Sequence, residues 1–175
     1  MAETVDIEPF REKMRAIDIM RFLSDAELDN LLQRAEVLSF EFGETIIRQG
    51  DISDHLYGVI DGSVDVSVRE FSKEDVFITR LETGDVFGET AVFVREERMA
   101  TVTASRQTTL FRIDRPSLLA FLQSNPQAGN KVLMVIVFSL IDKLKRSNRE
   151  LAFEKQGEVD FDLVDDLVQD FMEQI

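Results

Sequence analysis

The chain has 175 residues, 34 acidic and 20 basic, and a net charge of −14, which opposes nucleic-acid binding because phosphate contacts need a basic face. It has no cysteine and a single histidine, His55, so disulfides, thiolate sites and histidine-built metal centres are not expected. An apolar content of 44% with 14 Phe supplies a core for one domain with appendages, while the longest apolar run, VLMVIVF at 132–138, is too short to cross a bilayer.

The N-terminus, MAETVDIEPF, is acidic and lacks the apolar stretch of a secretory signal. Together with the missing cysteines this points to a cytoplasmic protein without membrane insertion, whose partners are small molecules or proteins. The first 35 residues read as helical. Pro9 suits a first helical turn, with Phe10, Met14 and Ile17 following at spacings of four and three. Ser24 with Glu27 three residues on is a capping-box pattern, and Leu28, Leu31 and Leu32 form one apolar face.

From Val37 to Ile113 the texture changes to segments of five to seven residues separated by glycine turns, and six of the eight glycines fall here. In SVDVSVR at 63–69, Val64, Val66 and Val68 alternate with polar residues, as in a half-buried strand. Many short strands at near-regular spacing predict a sandwich or barrel. His55 reads as a loop residue.

Helical period returns after Arg112. Asp114, Pro116 and Ser117 open one helix, and Asn125-Pro126 opens a longer one reaching about Lys155. Leu133, Val137, Leu140, Leu144, Ser147 and Leu151 are spaced 4, 3, 4, 3, 4. That is a heptad seam, which predicts self-association through this helix, a homodimer. The last 19 residues hold seven acids and no base, half of the net charge. Their apolar residues fall near helical spacing, so this acidic amphipathic segment is expected either to pack back on the body or to dock on a protein partner.

Within the strand region, FGETAVFVREERMATV at 87–102 stands apart. A glycine turn leads into one or two helical turns over Thr90–Val94, whose free N–H groups suit an anion. Arg98, nine residues after Glu89, has the planar fork to clamp the same anion. Glu89 is an acceptor, wrong for phosphate and right for a hydroxyl. Anion donors beside one hydroxyl acceptor describe a phosphorylated ribose.

Here the sequence resembles the cyclic nucleotide-binding domain family, which includes catabolite activator protein and the regulatory subunits of cAMP-dependent protein kinase. Phe87, Gly88, Glu89, Ala91, Arg98, Ala100, Thr101 and Val102 stand in the register of its phosphate-binding cassette. FGETIIRQGD at 42–51, LYGVIDGSV at 56–64 and TGDVFGE at 83–89 look like the family's turn signatures in the family's order. The resemblance covers about residues 20–155.

It implies a mainly β fold with flanking helices: a double-stranded β-helix (jelly-roll) barrel with N-terminal helices and a long C-terminal helix. The expected organisation is N-terminal helices over 1–36, a barrel over 37–113 with its cassette at 84–102, C-terminal helices including the dimer helix over 114–155, and the acidic tail over 156–175. By the resemblance Glu89 accepts from the ribose 2′-hydroxyl, Arg98 pairs with the cyclic phosphate, and main chain around Gly88, Thr90 and Ala91 completes the anion site, with Met99 and Ala100 beside it. Val66 and Ile78 form an apolar wall for the base, and Lys143, Arg146 and Ser147 are the candidates to cap it.

Three departures bear on the ligand. Met99 stands where members preferring cGMP often carry Thr, which favours cAMP. Thr90 replaces a more usual aliphatic residue. Glu96 and Glu97 precede the arginine where the family often has Pro. Two carboxylates ~6 Å from a phosphate would oppose it by roughly 0.7 kcal/mol each at water's dielectric and about 2.8 at an effective value near 20. If they face solvent, binding survives; if either pairs with Arg98, affinity is lost.

The resemblance therefore implies a regulatory sensor of cAMP, in preference to cGMP, that signals through the dimer helix or acidic tail to a protein partner. The alternative is a degenerate member that has lost its ligand and serves as a protein-interaction scaffold. An enzyme is not expected: no nucleophile–base pair stands out, and a cupin-like metal site would need more than one histidine. Transcription factors of this family continue into a helix-turn-helix after the long helix, whereas a segment of about 20 residues rich in acids follows here, so direct DNA regulation is not expected.

Overall fold

The computed structural model describes residues 3–69 and 75–155, and the acidic segment at 156–175 lies outside them. The chain forms two compact units, Met1–Ile136 and Val137–Ile175. The first holds two antiparallel sheets. One has the order β1 (Glu3–Val5), β2 (Glu36–Phe40), β9 (Thr108–Asp114), β4 (His55–Asp61), β7 (Val86–Phe87), and the other β3 (Thr45–Ile47), β8 (Thr101–Ala104), β5 (Ser63–Arg69), β6 (Asp75–Glu82). Non-consecutive strands lie side by side in both, as in the expected jelly roll with flanking helices.

Period-two alternation explains how the sheets face each other. Leu38, Phe40, Tyr57, Val59, Phe87 and Leu110 from the first sheet meet Ile47, Val64, Leu81, Val102 and Ala104 from the second. The intervening residues of β4 turn the other way: a Cβ at Gly58 would lie 2.9 Å from Ile17 Cγ2. Glycine here makes room for the helical N-terminal layer, in which Met14, Ile17, Ile19 and Met20 are fully buried. β4 is thus covered on both faces, which is why it reads as a nearly unbroken apolar run.

The N-terminal segment departs from the helical expectation. Glu3–Val5 pairs with Val37–Ser39 as an edge strand. Thr4 and Val5 favour extended backbone, and helical geometry begins only at Glu8–Phe10 and α1 (Arg11–Met14). α2 (Asp25–Leu32) starts at the expected capping box: Ser24 N donates to Glu27 Oε2 at 2.8 Å, and Glu27 N donates to Ser24 Oγ at 3.4 Å. Glu27 also pairs with Lys131 at 3.0 Å. Ser24→Ala is expected to lower stability by about 1 kcal/mol, read as an earlier urea midpoint with an unchanged slope.

Asp114 caps α4 (Arg115–Ser124) by accepting from Ser117 N at 2.7 Å. α5 runs over Pro126–Lys155. Within the first unit its buried apolar side chains are Ala128, Val132 and Ile136, spaced by four, so the face turned to the body is not the heptad seam. Of the seam, Leu133 and Leu140 are half-buried, while Val137 and Leu144 are 47% and 62% exposed. His55 is the first residue of β4 rather than a loop residue, paired with Asp114. Burial pushes its imidazole below the ordinary value, helped by Arg112 and opposed by Asp54 and Asp114.

Candidate functional site

The stretch from Gly84 to Val102 crosses between the sheets. β7 pairs with β4 through Tyr57–Phe87 and Gly58–Val86, and the Tyr57 and Phe87 rings stack at 5.1 Å. Gly88 follows with φ +79°, in the left-handed region that glycine enters at no cost. Glu89 is the N-cap of α3 (Thr90–Phe93). In so short a helix the first N–H groups, those of Thr90 and Ala91, have no intrahelical acceptor. Ala91 is buried against the body and Thr90 is exposed.

After α3 the chain returns along the loop that precedes β4. Gly50 N donates to Arg98 O and Arg98 N donates to Asp51 O, both at 2.9 Å. Ile52 bridges to Glu97 in the antiparallel sense. These bonds pin the main chain of Arg98 before β8 begins. Its side chain runs inward and is 6% exposed. Nε donates to Ser53 Oγ at 2.8 Å, Nη2 to His55 O at 2.7 Å and Nη1 to Gly88 O at 3.3 Å. A guanidinium has five N–H donors. Three are engaged, which leaves one hydrogen on each terminal nitrogen.

Every one of those acceptors is neutral. Among the described residues only two charged side chains are buried, Arg98 and Glu89 at 4% exposed, and Arg98 forms no ion pair. Burial pulls its guanidinium below the ordinary value, and interactions with Tyr57, Asp54 and Glu89 only partly offset this. Glu96 and Glu97 are both exposed, and neither pairs with Arg98. A buried cation is normally matched by an anion. Here the anion is not supplied by any described side chain in contact with it.

The other expected residues are placed as follows. Met99 is 70% exposed, and Ala100 is half-buried beside the start of β8. Val66 is half-buried against the core between the sheets. The residue opposite it is Thr79, and Ile78 is the extra residue of a bulge between the Val66–Thr79 and Ser67–Phe77 pairs, exposed on β6. Lys143, Arg146 and Ser147 belong to the second unit, where Arg146 pairs with Asp142 at 3.0 Å. Ser53 and the His55 carbonyl were not among the expected site residues. Ser53 lies in the short loop between the Gly50 turn and β4, and a main-chain carbonyl leaves no trace in side-chain identity.

Among the described residues no group of three or more His, Cys, Asp or Glu is placed to hold a metal ion, and no helix is long and apolar enough to cross a membrane.

The family model for the cyclic nucleotide-binding domain matches residues 37–125. The chain is 30% identical over 127 residues to the cAMP-dependent protein kinase regulatory subunit of Blastocladiella emersonii, covering 70% of this chain and 32% of that protein. Across the curated relatives it matches, the chain spans between 13% and 53% of their length. In structure it resembles a cyclic nucleotide-binding domain from Methylobacillus flagellatus with a TM-score of 0.81 and 21% identity, covering 91% of this chain and 92% of that one. It also resembles the catabolite activator protein of Thermus thermophilus, with a TM-score of 0.62 and 25% identity over 79% of this chain and 62% of that one.

Proposed function

The chain belongs to the cyclic nucleotide-binding domain family, and from that premise we propose that it is a regulatory module that binds cAMP in preference to cGMP and relays occupancy to a protein partner. One observation carries the reading: a buried guanidinium held only by neutral acceptors, beside a buried carboxylate and the first amides of a helical turn, which have no intrahelical acceptor. A cyclic phosphate brings the missing negative charge to Arg98. Its remaining hydrogens on Nη1 and Nη2 supply charge-assisted donors, with the amides of Thr90 and Ala91 beside them.

Glu89 fits the ribose 2′-hydroxyl, since an ionised carboxylate only accepts and would repel a phosphate. Gly88 and Ala91 keep the turn thin enough for close approach, and Val66 and Ile78 supply apolar surface for the base. The exposed Met99 offers no hydroxyl to guanine, which favours adenine. A cap from Lys143, Arg146 or Ser147 stays part of the proposal. The outward-facing Glu96 and Glu97 support retention of ligand over the scaffold alternative, because neither occupies Arg98.

The long helix carries the second half of the reading. Val137 and Leu144 lie exposed on the 4, 3, 4, 3, 4 seam, which suits a homodimer through α5, and sedimentation equilibrium checks it: a monomer throughout the micromolar range ends that part.

Isothermal titration of the nucleotide-free chain is expected to give micromolar or tighter binding of cAMP and weaker binding of cGMP. Removing the ribose 2′-hydroxyl is expected to weaken binding by roughly 10-fold, the worth of one hydrogen bond to a charged group. In Glu89→Gln the 2′-deoxy nucleotide and cAMP should bind within about 3-fold of one another. An equal penalty for the deoxy ligand in both proteins removes Glu89 from the ribose site, and no heat with either nucleotide favours the scaffold.

A further inference from the structure

A guanidinium forks onto a phosphate only when its plane is already turned to the right angle, because its donors lie in one rigid plane. Three acceptors set that plane for Arg98, and two of them, His55 O and Gly88 O, are main-chain carbonyls. The third is the hydroxyl of Ser53, 2.8 Å from Nε, the one side chain in the set. We propose that Ser53 is a positioning residue of the anion site: by accepting from Nε it holds the arginine with its Nη1–Nη2 end open to the ligand phosphate. This rests on the cyclic-nucleotide reading above.

The loop is built to deliver that hydroxyl. Residues 50–52 are zipped to residues 97–98 by the paired bonds of Gly50 and Asp51 with Arg98 and by the Ile52–Glu97 bridge. Ser53 follows at once, half-buried, and His55 two residues later presents its carbonyl to Nη2. One short segment therefore fixes both the backbone of Arg98 and one whole edge of its guanidinium.

The chemistry of the acceptor also matters. A carboxylate at the Ser53 position would hold Nε equally well and would neutralise the charge that an incoming phosphate needs. A hydroxyl fixes direction and leaves the charge in place. Asp54 is the next residue, yet it makes no hydrogen bond to Arg98 and acts on it only through space.

The test uses the 175-residue chain, cAMP as the probe, and two independent readings. Ser53→Ala is expected to weaken cAMP binding by roughly 10-fold, and Ser53→Thr, which keeps the hydroxyl, to stay within about 3-fold of wild type. Lysine has no Nε–H, so in an Arg98→Lys background the Ser53→Ala change should alter affinity by less than about 2-fold. The second reading needs no ligand. In protein labelled with ¹⁵N-arginine, the Arg98 Nε–H signal should be protected from solvent exchange in wild type and Ser53→Thr and lost in Ser53→Ala.

An Nε–H signal indifferent to Ser53→Ala overturns the proposal whatever the affinities, as does a 10-fold loss that persists with lysine at position 98. Should wild-type protein bind no cyclic nucleotide, the functional reading fails and the positioning role fails with it. The Nε–H signal then reports separately whether the Ser53 contact exists.

Discussion

Arg98→Ala is expected to weaken cAMP binding by at least 100-fold, the largest single effect in the molecule. In the proposed complex the variant removes two charge-assisted donors to the phosphate, each worth about 1.5–3 kcal/mol, so their joint loss corresponds to roughly 10²–10⁴ in the dissociation constant. The free protein should melt close to wild type. Its three neutral acceptors lose their donors, while a buried charge with no counter-ion and its desolvation cost disappear, and these changes oppose each other. Thermal melts check both halves together. At a ligand concentration 100 times the dissociation constant, cAMP should stabilise wild type by about 2.7 kcal/mol, a rise of roughly 5–10 °C for a chain of this size. The variant should show none. A variant that still melts higher with cAMP would place the ligand elsewhere on the chain.

Gly88→Ala should damage fold and site at once, and a second glycine separates the two causes. Gly88 has φ +79°, and a Cβ there would stand 2.8 Å from His55 O and 2.9 Å from Arg98 Nη1. The left-handed backbone alone costs a residue with a Cβ about 1–2 kcal/mol. The clash adds to this, because His55 O is main chain and cannot swing aside. A total loss of about 2–4 kcal/mol is expected, a melting temperature lower by roughly 5–15 °C. The atoms it crowds are an acceptor of Arg98 and one of its terminal nitrogens, so cAMP binding should fall at least 10-fold as well. Gly43 is the control: its φ is +82°, and a Cβ there would meet nothing within 4 Å. Gly43→Ala should cost only the backbone term and leave affinity unchanged. If the two variants prove equally mild, the close approach at Gly88 does not constrain the site.

The cassette was legible in the sequence because its geometry ties residue type to spacing. A left-handed turn asks for glycine at 88, the helical turn behind it tolerates only a small residue at 91, and the return strand fixes where 98 falls. The strand alternation in 63–69 and the capping box at Ser24 were legible for the same reason, since each is a local rule. What spacing could not reveal was direction. Glu96 and Glu97 were equally compatible with facing Arg98 or facing water, and only the pinning of residues 97–98 against the 50–52 loop turns them outward. A bulge in β6 sets Thr79 opposite Val66 and leaves Ile78 as the extra, exposed residue, a register that strand spacing does not reveal. The heptad spacing from Leu133 to Leu151 gave no sign of the row Ala128, Val132 and Ile136, buried at spacings of four on another face of α5. Ser53 carried no signal: a lone serine in a loop is chemically unremarkable until a guanidinium is beside it.

The triple anchoring of Arg98 bears on how fast such a site works. If Arg98 takes a phosphate as proposed, a side chain already tied by its main chain and three acceptors has no rotamer search to complete. Association is then governed by diffusion into the mouth of the site, and differences between ligands are written in residence time. A module of this kind registers a rise in its ligand promptly. How long it remembers that rise depends on how slowly the phosphate lets go.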